Sequence, residues 1–376
     1  MNILITGSRA PVAVLLARTL HAAGFTVYTA DSLRPNFGQV SRAVAEDFLL
    51  PSPRFAPAEC LATLARLAIE KRLDAIIPTC EETFALSAGR AALPDSVRLL
   101  CPGIDVLDRL HHKGRGIAFA RSLGVATPAA CTLPDFQRDG ILKRAYSRFS
   151  HHVIPLRGSE SQRRQAAATK PDDGAEWVWQ EWIEGRALCT YSLCAEGEIH
   201  AHAAYRTPYT IGLGAGIFYD TVSGIPDESS LAVAQKLASA THYTGSLSLD
   251  FIEEASGRMV LIELNPRATM GVALLTHQPA FGGCISPLIE GGEGRAGEKP
   301  LKGTGRRQLK AAMLLLGRRR RWRDVFTTPD VLADPADPGP ARAALRLYLA
   351  HARQARAKRL STTAFTTYDI EWNGNP

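Results

Sequence analysis

The chain has 376 residues, 45% of them hydrophobic and 22% charged, which is the balance of a soluble globular protein with room for two or three domains. No apolar run reaches the ~18 residues that a membrane-spanning helix needs. The net charge is +7, but residues 302–359 alone carry 15 Lys and Arg against four Asp, so the body of the chain is mildly acidic. Residues 1–11 (MNILITGSRAP) lack a basic leader and a long apolar core, so no signal peptide is expected. The cysteines at 60, 80, 101, 131, 189, 194 and 284 form no CxxC pair. That argues for a reducing cytoplasm and against a disulfide framework or zinc site.

Residues 2–6 are predicted to form a buried strand, 7–11 a loop, and 12–23 a helix with apolar Val12, Leu15, Leu16 and Leu20, stopped by Gly24. With a strand at 25–30 this makes a β-α-β unit of parallel type. The loop is not GxGxxG, so a dinucleotide is not expected there. A helix at 60–71 and strands at 75–78 and 97–102 complete an open α/β domain, residues 1–104, whose ligands should gather at the strand C-termini. Glu81, at one such end, reads as a helix N-cap and first-turn acid, with a substrate contact as the alternative.

Residues 105–123 are predicted as one helix, ended by Gly124 and followed by extended backbone at Thr127-Pro128. Then come a short strand at 141–143, a polar loop at 144–152, a helix at 159–169 and a strand at 177–183. Residues 187–205 read as a hairpin turning at Glu196-Gly197, 212–216 as a glycine-rich loop at a cleft mouth, and 227–241 as a helix. Residues 246–267 (SLSLDFIEEASGRMVLIELNPR) read as a second hairpin, with period-2 alternation, a turn at 255–257 and a second apolar run. The texture changes near Gly291. Residues 291–305 are rich in glycine and charge, 308–316 are apolar and helical, 334–340 form a Pro-rich break, and 341–360 form a basic helix.

The second hairpin brings Asp250 near Glu263 and Asn265, and the last two, spaced by two, share a face. Three hard oxygen donors on one face suit Mg²⁺, with substrate phosphates completing its shell. Lys113 lies in the helix before 123–128, and Lys143 ends the strand at 141–143. Two lysines meeting at a cleft suit a polyphosphate. The histidine pairs 111–112 and 151–152 lack metal spacing and read as surface or loop residues. The order Lys113, G-V-A-T-P, I-L-K, W-V-W-Q-E-W-I-E-G, then D…E-L-N-P-R resembles the ATP-grasp superfamily, in particular its carboxylate–amine ligases, across residues 105–280.

That resemblance implies an α/β and α+β architecture. A Rossmann-like pre-ATP-grasp domain (1–104) precedes a two-part ATP-grasp fold, with a small lid subdomain (105–185) and a metal-binding subdomain (186–295). A basic, mostly helical C-terminal extension (296–376) follows. It implies ATP as substrate and Mg²⁺, or Mn²⁺ in its place, as metal. Lys113 and Lys143 would contact phosphates. Gln180, Glu181, Trp182 and Ile183 would form the hinge, with backbone groups of Glu181 and Ile183 on the adenine edge and apolar surface from Trp182. Asp250, Glu263 and Asn265 would be metal ligands, and Arg267 would stabilise charge during transfer. Arg206 is a further candidate for the transferred phosphate.

Two positions depart from the family pattern. The loop after Lys143 contains no glycine, so Ser147, Arg148 and Ser150 would have to offer side-chain donors in place of backbone N–H groups. Ala187 stands where many members carry the ribose-binding acid, a role Glu184 would cover.

The implied reaction joins a small-molecule carboxylate to an amine through an acylphosphate, as small-molecule biosynthesis requires. A bicarbonate-using relative and an inert ATP-binding module are the alternatives. The basic tail has few interleaved aromatics, Trp322 and Tyr348, so nucleic acid is not expected as a partner. Residues 314–321 offer a short stretch that would suit an anionic membrane surface. A homodimer is common in the family.

Overall fold

A computed structural model describes residues 1–147, 152–211, 214–290, 298–315 and 321–374. Arg148, Ser150 and His151, part of the glycine run at 212–216, the linker at 291–297 and Arg318 to Arg320 lie outside the described residues.

The first layer is a parallel sheet. Its elements run β1 (Asn2–Thr6), α1 (Pro11–Ala22), β2 (Thr26–Asp31), β3 (Glu46–Leu49), α2 (Pro57–Glu70), β4 (Ala75–Ile77), α3 (Glu82–Ala88) and β5 (Arg98–Leu99). The strand order is β3-β2-β1-β4-β5, all parallel. Chain direction across the sheet therefore reverses between β1 and β4, and the loops after these two strands face each other. Pro11 opens α1 where the missing N–H costs nothing.

The predicted single helix at 105–123 is two helices, α4 (Ile104–His111) and α5 (Lys113–Ser122). They break at His112, whose ψ of 116° is extended. Gly114 and Gly116 weaken a continuous helix here. Gly116 is also required by close packing, because a Cβ there would lie 2.6 Å from the Leu110 carbonyl.

A small antiparallel sheet follows, with β6 (Ala130–Cys131), β7 (Gly140–Arg144), β8 (Val153–Leu156), α6 (Glu160–Ala167) and β9 (Trp177–Glu181) in the order β6-β9-β7-β8. Leu142, Leu156, Trp177 and Trp179 bury one face against α6. Lys143 and Gln180 alternate with these residues and so point to the other face.

The large sheet is built from β10 (Arg186–Ala195), β11 (Glu198–Arg206), the β12 (Thr210–Ile211) and β13 (Ala215–Gly216) ribbon beside it, β14 (Phe218–Thr221), α7 (Ile225–Thr241), β15 (Gly245–Glu253), β16 (Met259–Asn265) and α8 (Ala280–Glu290). Its order is β16-β15-β10-β11-β14-β18, where β17 (Leu301–Lys302) also pairs with β11 and β18 is Arg306–Gln308. The sheet thus runs past the expected boundary at 296, and Leu301–Lys302 and Arg306–Gln308 are strands within the stretch read as linker and the start of a helix. Helices α9 (Lys310–Leu315), α10 (Trp322–Thr327), α11 (Gly339–Ala357) and α12 (Thr362–Phe365) finish the chain.

One core joins the parallel and large sheets: Val12, Leu16 and Leu20 of α1 pack with Phe281 and Ile285 of α8 and with Tyr191 and Tyr205 of the large sheet. Each such side chain contributes about 1.5–3 kcal/mol by leaving water. No helix among the described residues is long and apolar enough to cross a membrane.

Candidate active site

Lys113 opens α5 because His112 caps that helix. The His112 Nδ1 accepts from the N–H groups of Gly114 and Arg115, each at 3.1 Å, and its Nε2 lies 3.1 Å from Glu176 Oε1. His111 and His112, expected at the surface, are 2% and 4% exposed. A cation in a helix's first turn opposes the macrodipole, and Lys113 is also buried. Local preference is broken here in the way functional sites break it. The Lys113 ammonium donates to the Ser147 carbonyl at 2.9 Å and pairs with Glu263 at 3.2 Å.

Lys143 approaches from the small sheet. It pairs with Val178, which places Gln180 diagonally across on the same face. Lys143 donates to the Gln180 side-chain oxygen at 2.7 Å, and the Gln180 amide donates to the Ile262 carbonyl at 3.2 Å. Burial lowers the Lys143 pKa to about 8, with Lys113 acting in the same direction and Glu263 and Asp250 opposing.

That carbonyl is available because β16 bulges. The register pairs Asp250 with Glu263 but Phe251 with Leu261, leaving Ile262 as the extra residue. Bulges re-aim side chains beside active sites. Here the bulge sets the Asp250 and Glu263 carboxylates opposite each other on the hairpin. Asn265 donates to Asp250 at 3.0 Å, and Cys189 stands directly across from Asp250 on β10. Burial and the nearby Glu263 push the Asp250 carboxyl up to about 6. Burial also raises Glu263, but Lys113 and Lys143 outweigh it and leave that carboxyl below its ordinary value.

The donor set is two carboxylates and one amide oxygen, and no group of three or more His, Cys, Asp or Glu among the described residues is arranged around a metal. A hard cation with open positions fits this set of oxygen donors.

Arg267 lies beyond the hairpin. Its Nη2 is 3.5 Å from Asn265 Oδ1, and its Nε is 3.8 Å from Glu81 Oε1. Glu81 occupies the N-cap position of α3 but makes no side-chain cap. It turns to Arg267 and to the C-terminal segment, so the simpler reading of Glu81 as a capping acid is replaced. Arg206 is not in the cluster. Cys189 pairs with both Tyr205 and Asp250, so Tyr205 shares their face and Arg206 points to the other side. There it pairs with Glu253 and donates to the Ala187 carbonyl at 2.9 Å.

The residues expected to form a hinge lie at the end of β9 and just beyond it. The Glu181 N–H donates to the Ala129 carbonyl at 2.8 Å, and its carboxylate accepts from the Ala129 N–H at 3.1 Å. The guanidinium of Arg157 covers one face of Trp182, 4.6 Å from the ring centre, and the indole N–H donates to Glu184 at 2.8 Å. Ile183 is half-buried, and Glu184 is exposed and paired with Arg157. The Ser147 hydroxyl donates weakly to the Arg144 carbonyl at 3.4 Å, so the part of Ser147 that meets Lys113 is its carbonyl. A separate depression of about 590 Å³ beside α4 and α5, lined by Asp105, Asp108, Arg109 and Arg115, contains none of the clustered residues.

Sequence reasoning missed Cys189 and the role of Glu81. Cys189 was findable in principle, since it sits on the strand predicted at 187–205 with the parity of its neighbours, but the pairing of that strand with Asp250 is not in the sequence pattern.

No protein-family model matches the sequence, and no curated protein matches it. Solved structures do. The biotin carboxylase domain of the Hydrogenobacter thermophilus 2-oxoglutarate carboxylase, solved with ADP, magnesium and bicarbonate, matches at TM-score 0.62 and 14% identity over 81% of this chain and 73% of that one. The L-amino acid ligase of Bacillus licheniformis matches at TM-score 0.58 and 12% identity over 77% and 74%. The N5-carboxyaminoimidazole synthetase of Staphylococcus aureus matches at TM-score 0.56 and 12% identity over 73% and 72%. The chain therefore has the ATP-grasp fold that these neighbours share.

Proposed function

We propose that the protein is an ATP- and Mg²⁺-dependent carboxylate–amine ligase. The observation that carries this reading is the convergence of Lys113, Lys143, Asp250, Glu263 and Asn265 from three separate segments into one cluster, in which both lysines and Asn265 are buried. On this reading residues 105–185 act as the lid subdomain and 186–295 as the metal-binding one. The structural neighbours act on small carboxylates or bicarbonate by name, which supports the class without choosing the substrates.

In the first step a carboxylate oxygen attacks the γ-phosphorus of ATP. The bond to the bridging oxygen breaks, ADP leaves and an acylphosphate forms. In the second step the amine nitrogen attacks the acyl carbon, the acyl–oxygen bond breaks, phosphate leaves, and the nitrogen loses a proton to give the amide. Little covalent chemistry falls to the protein, so catalysis is positioning and charge stabilisation. Lys113 and Lys143 hold phosphate oxygens in a dry setting where each charge counts for more than in water. Arg267, fixed between Glu81 and Asn265, faces the transferred group. Asp250, Glu263 and Asn265 would hold Mg²⁺, which when bound neutralises phosphate oxygens.

The test is release of ADP and phosphate with Mg-ATP against pooled carboxylic and amino acids, with Asp250→Asn and Glu263→Gln as controls. Release that needs both an acid and an amine, and is lost in both variants, supports the ligase. Release with bicarbonate alone redirects the reading to a carboxyphosphate-forming enzyme.

A further inference from the structure

The end of the chain reaches the site from its far side. After α12, residues 366–374 cross the C-terminal ends of the parallel strands. The Asp369 carboxylate accepts from Arg9 Nη2 at 2.9 Å and from the Ser32 hydroxyl at 2.7 Å. The Asp369 carbonyl accepts from the Ser52 hydroxyl at 2.6 Å and the Arg54 N–H at 3.1 Å, and Glu371 pairs with Arg54 at 2.9 Å. Arg9 follows β1 and Glu81 follows β4, the two strands between which the sheet reverses. Open α/β sheets bind ligands in the crevice at that point. Here the crevice expected to take a ligand holds residues 366–374 of the chain itself.

Trp372 contacts the acids Glu81 and Asp108, which link it to the two cationic arms of the site. Its main-chain N–H donates to Glu81 Oε2 at 3.4 Å, and the other oxygen of Glu81 faces Arg267. Its indole N–H donates to Asp108 Oδ1 at 3.0 Å, the same oxygen accepts from the Tyr146 hydroxyl at 2.6 Å, and Arg115 pairs with the other Asp108 oxygen at 2.9 Å and donates to the Tyr146 hydroxyl. Tyr146 is followed by Ser147, whose carbonyl holds Lys113. The indole stacks on Phe84 with ring centres 5.8 Å apart and planes at 13°, and Trp372 is only 7% exposed. Gly374, at φ +85°, lies so close to Tyr146 that a Cβ would come within 2.6 Å of its ring.

We infer that Trp372 is a positioning residue of this site: through Asp108 and Tyr146 it fixes the loop that holds Lys113, and through Glu81 it fixes Arg267. The C-terminal segment is then a working part of the ATP-binding centre rather than an appendage. The inference rests on the nucleotide reading of Lys113 given above.

The two arms can be separated. Trp372→Phe keeps a ring to stack on Phe84 and the main-chain N–H to Glu81, and removes the indole N–H to Asp108. The experiment is calorimetric titration of Mg-ATP into the full-length protein, its Trp372→Phe and Lys113→Gln variants and the double variant, with melting temperature as a control on folding. Trp372→Phe is expected to weaken ATP binding by about three- to tenfold, the scale of one ordinary hydrogen bond, with little change in melting temperature. In the Lys113→Gln background the same change is expected to cost little more, since residues that act together are non-additive. Tyr146→Phe, which breaks the link from its other end, is expected to repeat the loss.

ATP binding by Trp372→Phe and Tyr146→Phe equal to that of the unaltered protein overturns the inference, while loss in Lys113→Gln leaves the nucleotide reading standing. A Trp372→Phe loss that persists in full in the double variant shows a route other than Lys113 and also overturns it. Unchanged binding in Lys113→Gln overturns both.

Discussion

Lys113 and Glu263 meet at 3.2 Å although 150 residues separate them. One stands at the first turn of a helix and the other near the end of a strand, and their ion pair ties α5 to the hairpin that carries Asp250 and Asn265. The pair satisfies each partner only partly. Lys113 leans also on a backbone carbonyl, and Asp250 keeps a raised carboxyl beside an ionised Glu263.

This arrangement sets stability against function at Asp250. A carboxyl whose folded pKa lies near 6, above its ordinary 3.8, favours folding while protonated, and that advantage is lost as pH rises through 6. At pH 8 without metal, Asp250→Asn should therefore be more stable than the unaltered protein, by about 1–3 kcal/mol. The same variant should lose Mg²⁺-dependent ATP turnover. Urea unfolding at pH 8 in EDTA checks the first part, and a less stable variant would contradict the assigned charge imbalance.

Lys143 gives a pH dependence of the opposite kind. Burial lowers its pKa to about 8, so its charge is present at pH 7 and fades as the solution becomes more basic. ATP affinity should fall by roughly tenfold between pH 7 and pH 9.5, the scale expected when one cation facing a phosphate is neutralised. Lys143→Arg, which stays charged over that range, should flatten the dependence even if its affinity at pH 7 is lower. Titration of Mg-ATP at several pH values decides, and an unchanged slope in Lys143→Arg would assign the pH effect elsewhere.

Much of this was legible in the sequence, for reasons that can be named. The alternation around Asp250 and the spacing of Glu263 and Asn265 fix a hairpin and a shared face, and both appear in β15 and β16. The 3.6-residue pattern of α1 and the β-α-β order fix the parallel sheet. What escaped was anything set by partners distant in sequence. The apolar rhythm of 105–123 continues through His112, so nothing local shows that its ring caps α5. The bulge at Ile262 depends on the pairing of β16 with β15. Arg206 ends its strand beside Tyr205, and only the register with Cys189 shows which of the two faces Asp250. The place of Trp372 depends on a crevice formed by loops some 290 and 360 residues earlier, after β4 and β1.

Arg206 supplies a test of that register. Because it pairs with Glu253 on the face away from Asp250, Arg206→Gln should leave ATP affinity and turnover within about threefold of the unaltered protein, as changes outside a site do. It should lower stability by about 1–3 kcal/mol, since Glu253 is largely buried and among the described residues its remaining ion pair is the 3.2 Å one with Arg186. Steady-state kinetics and urea unfolding of one variant check both parts. A loss of turnover by about a hundredfold with stability intact would put the guanidinium back at the transferred phosphate.

His202 should make the fold sensitive to mild acid. It is fully buried on β11, its Nδ1 2.9 Å from the Ser192 hydroxyl and its Nε2 3.2 Å from that of Ser230. Burial, with Lys302 nearby, lowers its pKa to about 3. Asp227, 3.7 Å away, is already engaged by Lys302 at 2.7 Å, so it offers little to an imidazolium. The neutral ring is the folded form, whereas the unfolded chain takes up a proton near pH 6.5. Stability from this residue is present above pH 6.5 and declines as pH falls toward 3, by about 2 kcal/mol between pH 6.5 and 5. His202→Gln removes the titration and keeps a hydrogen-bonding group, so its stability should start lower and fall less steeply over that interval. Urea unfolding of both proteins at pH 6.5 and 5 gives the comparison, in which His200, His277 and His351 contribute equally and cancel. Parallel slopes would mean that His202 keeps its proton equilibrium unchanged on folding, and that the buried Ser192–His202–Ser230 array does not form.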